Sequence, residues 1–244
     1  MDWVALVARN QCHATNISTA KGRSMVPQDR IQRWLFGGLI LVVAVSCIQA
    51  PYQQFLLMQH VPTLFAVCLL GIVTKRFPLS RFSFFSAVLF LALHTLGARY
   101  LYSYTPYDEW STWLLGIRIS ELFGWTRNNY DRIVHFSYGL LMVIPIHEFE
   151  CRHLRISRRL AAILAVECIL ATSAGYELLE WIIAITFTPS WAESFLGQQG
   201  DIFDAHKDMV LATGGAVVTI ALLMVSNSTR IAANPNLQDS KQYQ

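Results

Sequence analysis

Charge is scarce in this sequence. Of its 244 residues, 14% are Asp, Glu, Lys or Arg, where a soluble globular domain carries about 25%. There is no Gly-rich phosphate loop, no GxSxG elbow, no HExxH and no CxxC, which removes the signatures of nucleotide hydrolysis, serine-hydrolase, zincin and dithiol chemistry. The five cysteines (Cys12, Cys47, Cys68, Cys151 and Cys168) follow no metal or disulfide spacing. No internal repeat or low-complexity tract is present. The basic-then-apolar layout of a cleavable signal peptide is also missing from the N-terminus.

What is present in abundance is apolar sequence, 54% of the chain, and it is gathered into runs. Six stretches approach or reach the roughly 20 residues that a helix needs to cross a bilayer: 34–50, 55–74, 82–104, 133–149, 160–186 and 209–225. The fold class expected is all-α, a polytopic membrane bundle of about six transmembrane helices. Its domains would be a polar tail over 1–33, a membrane domain over 34–226 and a second tail over 227–244. Met25 offers an alternative natural start, and residues 1–24 read as a disordered tail.

Basic residues collect before the first run (Arg9, Lys21, Arg23, Arg30, Arg33), between the second and third (Lys75, Arg76, Arg81), and between the fourth and fifth (Arg152, Arg155, Arg158, Arg159). The intervening connections hold Asp108, Glu109, Glu121, Asp131, Glu193, Asp201 and Asp204. Positive-inside bias then sets both termini in the cytoplasm and the acidic loops outside. The basic clusters are short and flank spans, so they read as topology signals and not as a nucleic-acid surface. The piece "YDEWSTWLLGIRISELFGW" suits an interfacial amphipathic helix with Trp at headgroup depth.

Ionisable groups inside apolar spans are costly and mark function by default. Threading the topology brings several to one leaflet. His94 and Arg99 end the third span, and Asp131, Arg132 and His135 open the fourth. Glu177 and Glu180 lie in the outer half of the fifth, and Asp201, Asp204 and Asp208 precede or open the sixth. Asp131 and His135 are four apart and the two glutamates three apart, so each pair shares a helix face. Helix-start carboxylates also serve as caps, and Arg99 can snorkel outward. The glutamate pair has no such role and needs a cation, a shared proton or basic partners.

Carboxylates and an imidazole projecting from facing helices build metal sites in bundles, with a preference for hard divalent cations and room for Zn²⁺ or Fe. The candidate metal ligands are Glu177, Glu180, Asp201, Asp204 and Asp208. The candidate catalytic group is His135 oriented by Asp131, with Arg132. His94 and Arg99 are the candidate substrate-binding residues, facing membrane lipid or an anionic, lipid-linked envelope substrate. A proton- or ion-coupled transporter, which would need a wet path past Glu167, and a non-catalytic scaffold or sensor are the competing readings. The composition does not decide the oligomeric state.

The runs "HTLGARYLYSYTP", "RNNYDRIVHFSYG", "YELLEW" and "FLGQQGDIFDAHKDM" resemble those of the YjdF-type bacterial inner-membrane proteins, the DUF2238 family of unknown function, over residues 34–225. That resemblance implies a multi-span membrane protein and no established activity. The family pattern carries His where this chain has Arg99, and Thr where it has Leu101. The order Asp-Arg-x-x-His, a later Glu, then Asp before a Gly-rich last span is also similar to the VanZ-like family. VanZ-like proteins are linked to glycopeptide resistance, which implies a role at the cell envelope.

Overall fold

The structure, a computed structural model, describes residues 29–187 and 197–233, with side chains as far as residue 226. Residues 1–28 and 234–244, which make up most of the expected tails over 1–33 and 227–244, and part of the connection before Asp208, lie outside the described residues. All regular structure among the described residues is helical: α1 (Arg30–Cys47), α2 (Gln53–Arg76), α3 (Arg81–Arg99), α4 (Tyr107–Leu115), α5 (Ile119–Leu122), α6 (Tyr130–Arg152), α7 (Arg158–Thr186) and α8 (Asp204–Ala233). The chain is a helical membrane protein.

Five of these helices, α1, α2, α3, α7 and α8, are long and apolar enough to cross a membrane. The remaining long helix, α6, spans 23 residues, roughly 34 Å at 1.5 Å per residue. It is the most polar of the long helices because its neighbours shield it: α3, α7 and α8 all pack on it. Its buried face carries His135, His147, Glu148 and Glu150, whereas the outward faces of the others carry Leu57, Phe65, Ile163, Trp181 and Val210.

Two apolar cores stabilise the bundle. Leu39, Val43, Val67, Leu70, Phe84 and Leu91 join α1, α2 and α3. Val143, Ile144, Ala165, Ile169, Ala212 and Ala216 join α6, α7 and α8. The halves meet along antiparallel α3 and α6. At one end of that seam the Tyr130 hydroxyl donates to the Leu93 carbonyl at 3.0 Å. At the other, the fully buried Glu148 accepts from the Ser80 amide at 2.7 Å and from the Ser80 hydroxyl at 2.6 Å. It also takes the Ser83 hydroxyl and Arg152. A carboxylate on one helix thus serves a free amide and two hydroxyls at the start of another, where the positive end of the dipole favours it.

Two local ends differ from the sequence reading. Helix α3 stops at Arg99 instead of reaching residue 104, because Leu101 and Tyr102 adopt positive φ values of 52° and 53°. The Tyr102 amide returns to the Gly97 carbonyl at 2.8 Å. The last helix starts at Asp204, one turn before its apolar run. The amphipathic piece forms α4 and α5, and Trp113, Leu114, Leu122 and the following Phe123 are each exposed.

The closest crossing is that of α6 on α8. A Cβ added at Gly139 would lie 1.7 Å from the Ala212 carbonyl oxygen, and one at Gly215 would lie 2.2 Å from that of Phe136. Small residues of this kind let membrane helices touch backbone to backbone. Gly139→Ala and Gly215→Ala should therefore each destabilise the protein by at least the roughly 1–3 kcal/mol of overpacking. The same change at Gly214, where an added Cβ meets open space, should leave the melting temperature in detergent unchanged or raised.

Candidate functional site

At the end of the bundle where α6 and α8 begin, the ionisable residues separate into two tiers. The outer tier is a set of ion pairs. Arg127 reaches Asp204 at 2.7 Å and Asp201 at 3.8 Å, and Arg132 contacts Asp201 directly and Asp204 at 3.4 Å. Lys207 also bonds Asp201. Asp201 accepts from the Phe203 amide at 3.1 Å, so the turn into α8 is part of the same assembly. Arg127 further donates to the carbonyls of Gln198 at 3.0 Å and Gly197 at 3.3 Å. Asn128 and Gln199 bond each other at 3.1 Å and 2.9 Å. Gly197, at φ +68°, sits so close to Ser103 that an added Cβ would meet its hydroxyl at 2.4 Å. The segment 197–204 is thereby tied to the entrance of α6.

The inner tier lies one turn deeper and is built differently. His135 Nε2 is 3.6 Å from an oxygen of Asp131 and 3.6 Å from an oxygen of Glu177. Asp131, His135 and Asp208 each present a ligand atom within 4.8 Å of the others. Asp208 is 2% exposed. Its Oδ1 and the Oε1 of Glu177 are buried without a hydrogen-bond partner. Among the described residues, no Arg or Lys forms an ion pair with Asp131, Glu177, Glu180 or Asp208. Buried carboxylates in that number, with one imidazole, require a cation or protons. Mixed carboxylate and imidazole donors suit a divalent cation.

Beside this tier is a cavity of about 280 Å³. Its lining combines the polar groups of His94, Tyr102, Asp131, His135, Tyr138, Thr172, Ser173 and Tyr176 with the apolar Pro62, Phe65, Ala66, Phe90, Leu91 and Val134. Tyr102 reaches it by an unusual route. The two successive left-handed residues after α3 fold its ring back over Gly97, where a Cβ would strike the ring at 2.5 Å. Its hydroxyl then meets His94 Nδ1 at 2.6 Å. Non-glycine residues in that backbone region cost of order 1–3 kcal/mol each and persist where the surroundings hold them.

The candidate residues therefore fall in different places. Asp131, His135, Glu177 and Asp208 come together, and His94 lines the cavity beside Asp131 and His135. Asp201, Asp204 and Arg132 instead belong to the outer ion pairs, in which the two aspartates serve Arg127 and Arg132. Arg99 turns to the end of α1, where its guanidinium donates to the carbonyls of Ser46 at 2.6 Å, Ile48 at 2.8 Å and Gln49 at 3.3 Å. A cation that satisfies the last carbonyls of a helix is a capping group. Glu180 is within electrostatic reach of Asp131 and Glu177 but is not among the grouped ligand atoms. Glu167 and His206 are exposed. Sequence reasoning missed Arg127 and the tyrosines Tyr102 and Tyr176; their places inside the quoted runs were the available signal.

The model of the family described as "Predicted membrane protein (DUF2238)" matches residues 31–229. The chain is 32% identical over 186 residues to "Inner membrane protein YjdF" of Escherichia coli (strain K12), covering 76% of this chain and 85% of that protein. No solved structure matches. The chain belongs to the DUF2238 family.

Removing one partner of a buried ion pair typically costs roughly 3–5 kcal/mol. Arg127→Ala should lower stability on that scale, and Lys207→Ala, at the exposed edge, by less than about 1 kcal/mol, as read from thermal unfolding in detergent. Hydrogen bonding from Lys207 brings the Asp201 pKa down from 3.8 to about 2. A lowered carboxylate pKa adds stability that is complete above 3.8 and is lost as the pH falls toward 2. Pepsin cleavage around 197–203 should rise across that window in the wild type. In Asp201→Asn it should already be high and nearly flat.

Proposed function

We propose that this member of the DUF2238 family is a metal-dependent enzyme, a hydrolase or transferase, acting on a lipid or cell-envelope substrate at the outer leaflet of a bacterial inner membrane. In this reading α6 is a sixth transmembrane helix and both termini are cytoplasmic. Support comes from Lys75, Arg76, Arg81, Arg152 and Arg158, which cluster at the bundle end opposite the carboxylates. The inner-membrane name of the E. coli relative points the same way.

One observation carries the proposal: the ligand atoms of Asp131, His135 and Asp208 converge within 4.8 Å, with a buried Asp208 oxygen that has no other partner. These three would hold a divalent cation, and Glu177, 3.6 Å from His135, would complete the set or orient the imidazole. A cation held there would activate water and polarise a phosphoryl or acyl oxygen. His94, hydrogen-bonded to Tyr102 at 2.6 Å, faces the same cavity and would accept or return a proton on the substrate side. Arg127, Arg132, Asp201 and Asp204 would act as scaffold, because each is already partnered. The transport reading has less support, since Glu167 is exposed on α7 and is not among the residues that line the cavity.

Elemental analysis of protein purified in mild detergent tests this. The wild type should carry one divalent metal per chain, and Asp208→Asn should lose it. Glu177→Gln should weaken binding by about 10–100-fold, as expected for a group acting through a ligand. Equal metal in wild type and Asp208→Asn, or none in either monodisperse protein, would overturn the reading in favour of protonated carboxylates.

A further inference from the structure

We infer that the cavity beside the carboxylate cluster holds one hydrocarbon chain of a membrane lipid, which enters sideways from the bilayer between α2 and α7. The inference rests on the proposed site for its chemistry, but its geometry stands separately. The ionisable lining residues Asp131, His94 and His135 lie nearer the rim than the apolar Leu91, Phe65 and Ala66, with the hydroxyls of Tyr138, Thr172 and Ser173 among the deeper groups. Measured from the helix ends nearest the carboxylates at 1.5 Å per residue, Asp131 and His94 are within about 8 Å of the rim. Leu91 is roughly 12 Å from it on α3, below His94, and Thr172 lies about a turn or more deeper on α7 than Tyr176 and Glu177. That order matches a lipid of the adjacent leaflet in its ordinary orientation, with its polar end at the rim and its chain toward the membrane centre.

The deep end opens toward lipid. Phe65 and Thr172 both line the cavity, yet Phe65 is 69% exposed and Thr172 is exposed on α7. Opposite them, Leu91 and Val134 line the same space while only 3% and 5% exposed. A path therefore leads from the bilayer face, past Phe65 and Ala66, to residues that annular lipid does not reach. A cavity of about 280 Å³, at the lower limit of the roughly 300–1,000 Å³ of sites that enclose a whole small molecule, accommodates a single chain segment with its polar junction. The rest of the lipid stays in the membrane, and the open side permits this. The substrate class is thus an amphiphile with its reacting group at the junction of headgroup and chain, presented to Asp131 and His135 while the molecule remains in its leaflet.

The test uses the full chain in nanodiscs of phosphatidylethanolamine and phosphatidylglycerol that include a phosphatidylethanolamine bearing a mid-chain diazirine. After illumination, labelled peptides are mapped by mass spectrometry. Label is expected at Leu91 or Val134 in the wild type and should fall several-fold in Ala66→Trp, which fills the entry. If Ala66→Trp does not fold, Thr172→Phe narrows the same mouth from the other side. In Asp208→Asn the label should persist while metal content drops, so the chain site and the metal site fail separately. Label confined to lipid-facing residues such as Phe65, with none at Leu91 or Val134, would overturn the inference. So would inner label that survives a folded mouth variant undiminished.

Discussion

The arrangement depends on how two arginines are used. Arg127 and Arg132 lie at the entrance of α6 and pair with Asp201 and Asp204. That choice fixes the turn into α8 and consumes the local positive charge. The deeper carboxylates are left to one histidine, which approaches Asp131 and Glu177 equally. A bundle that needed only neutral packing would have matched charges in number. Here an excess of negative charge is kept in a low-dielectric interior, where it is costly unless a cation or protons share it.

A second constraint makes the deeper group converge. Asp131, His135 and Gly139 follow one another at four-residue intervals on α6, and Asp208, Ala212 and Ala216 do the same on α8. The lower part of each stripe is small, and there the backbones touch, Gly139 against the Ala212 carbonyl and Gly215 against that of Phe136. One turn above, the same crossing sets Asp131 and His135 against Asp208. Small residues thus determine the distance at which the acidic ones face each other, so packing and chemistry occupy consecutive turns of the same faces.

Much of this was legible in the sequence, for reasons that show where reading stops. The apolar runs reported the long helices because membrane burial leaves a length signature, and the four-residue spacing of Asp131 and His135 reported a shared face. The placing of Asp201, Asp204 and Asp208 at the mouth of an apolar helix marked a polar site, but position alone did not say which of the three would be paired to arginine. That division depends on where Arg127, on a separate loop, comes to rest. The turn after α3 was also illegible, since nothing in "ARYLY" demands two left-handed residues. Gly97, which admits the Tyr102 ring, gives a local reason only once the fold-back is known. Arg99 was read as facing a substrate because it ends a span; the carbonyls it serves belong to a helix some fifty positions earlier, at Ser46 and Ile48.

The most direct test of the central claim is pulsed electron paramagnetic resonance on protein loaded with Mn²⁺, an ion suited to carboxylate and imidazole donors. The account predicts a bound ion with nitrogen coupling from a single imidazole, lost in His135→Gln and retained in Lys207→Ala. Bound Mn²⁺ without nitrogen coupling, or coupling that survives His135→Gln, would contradict it.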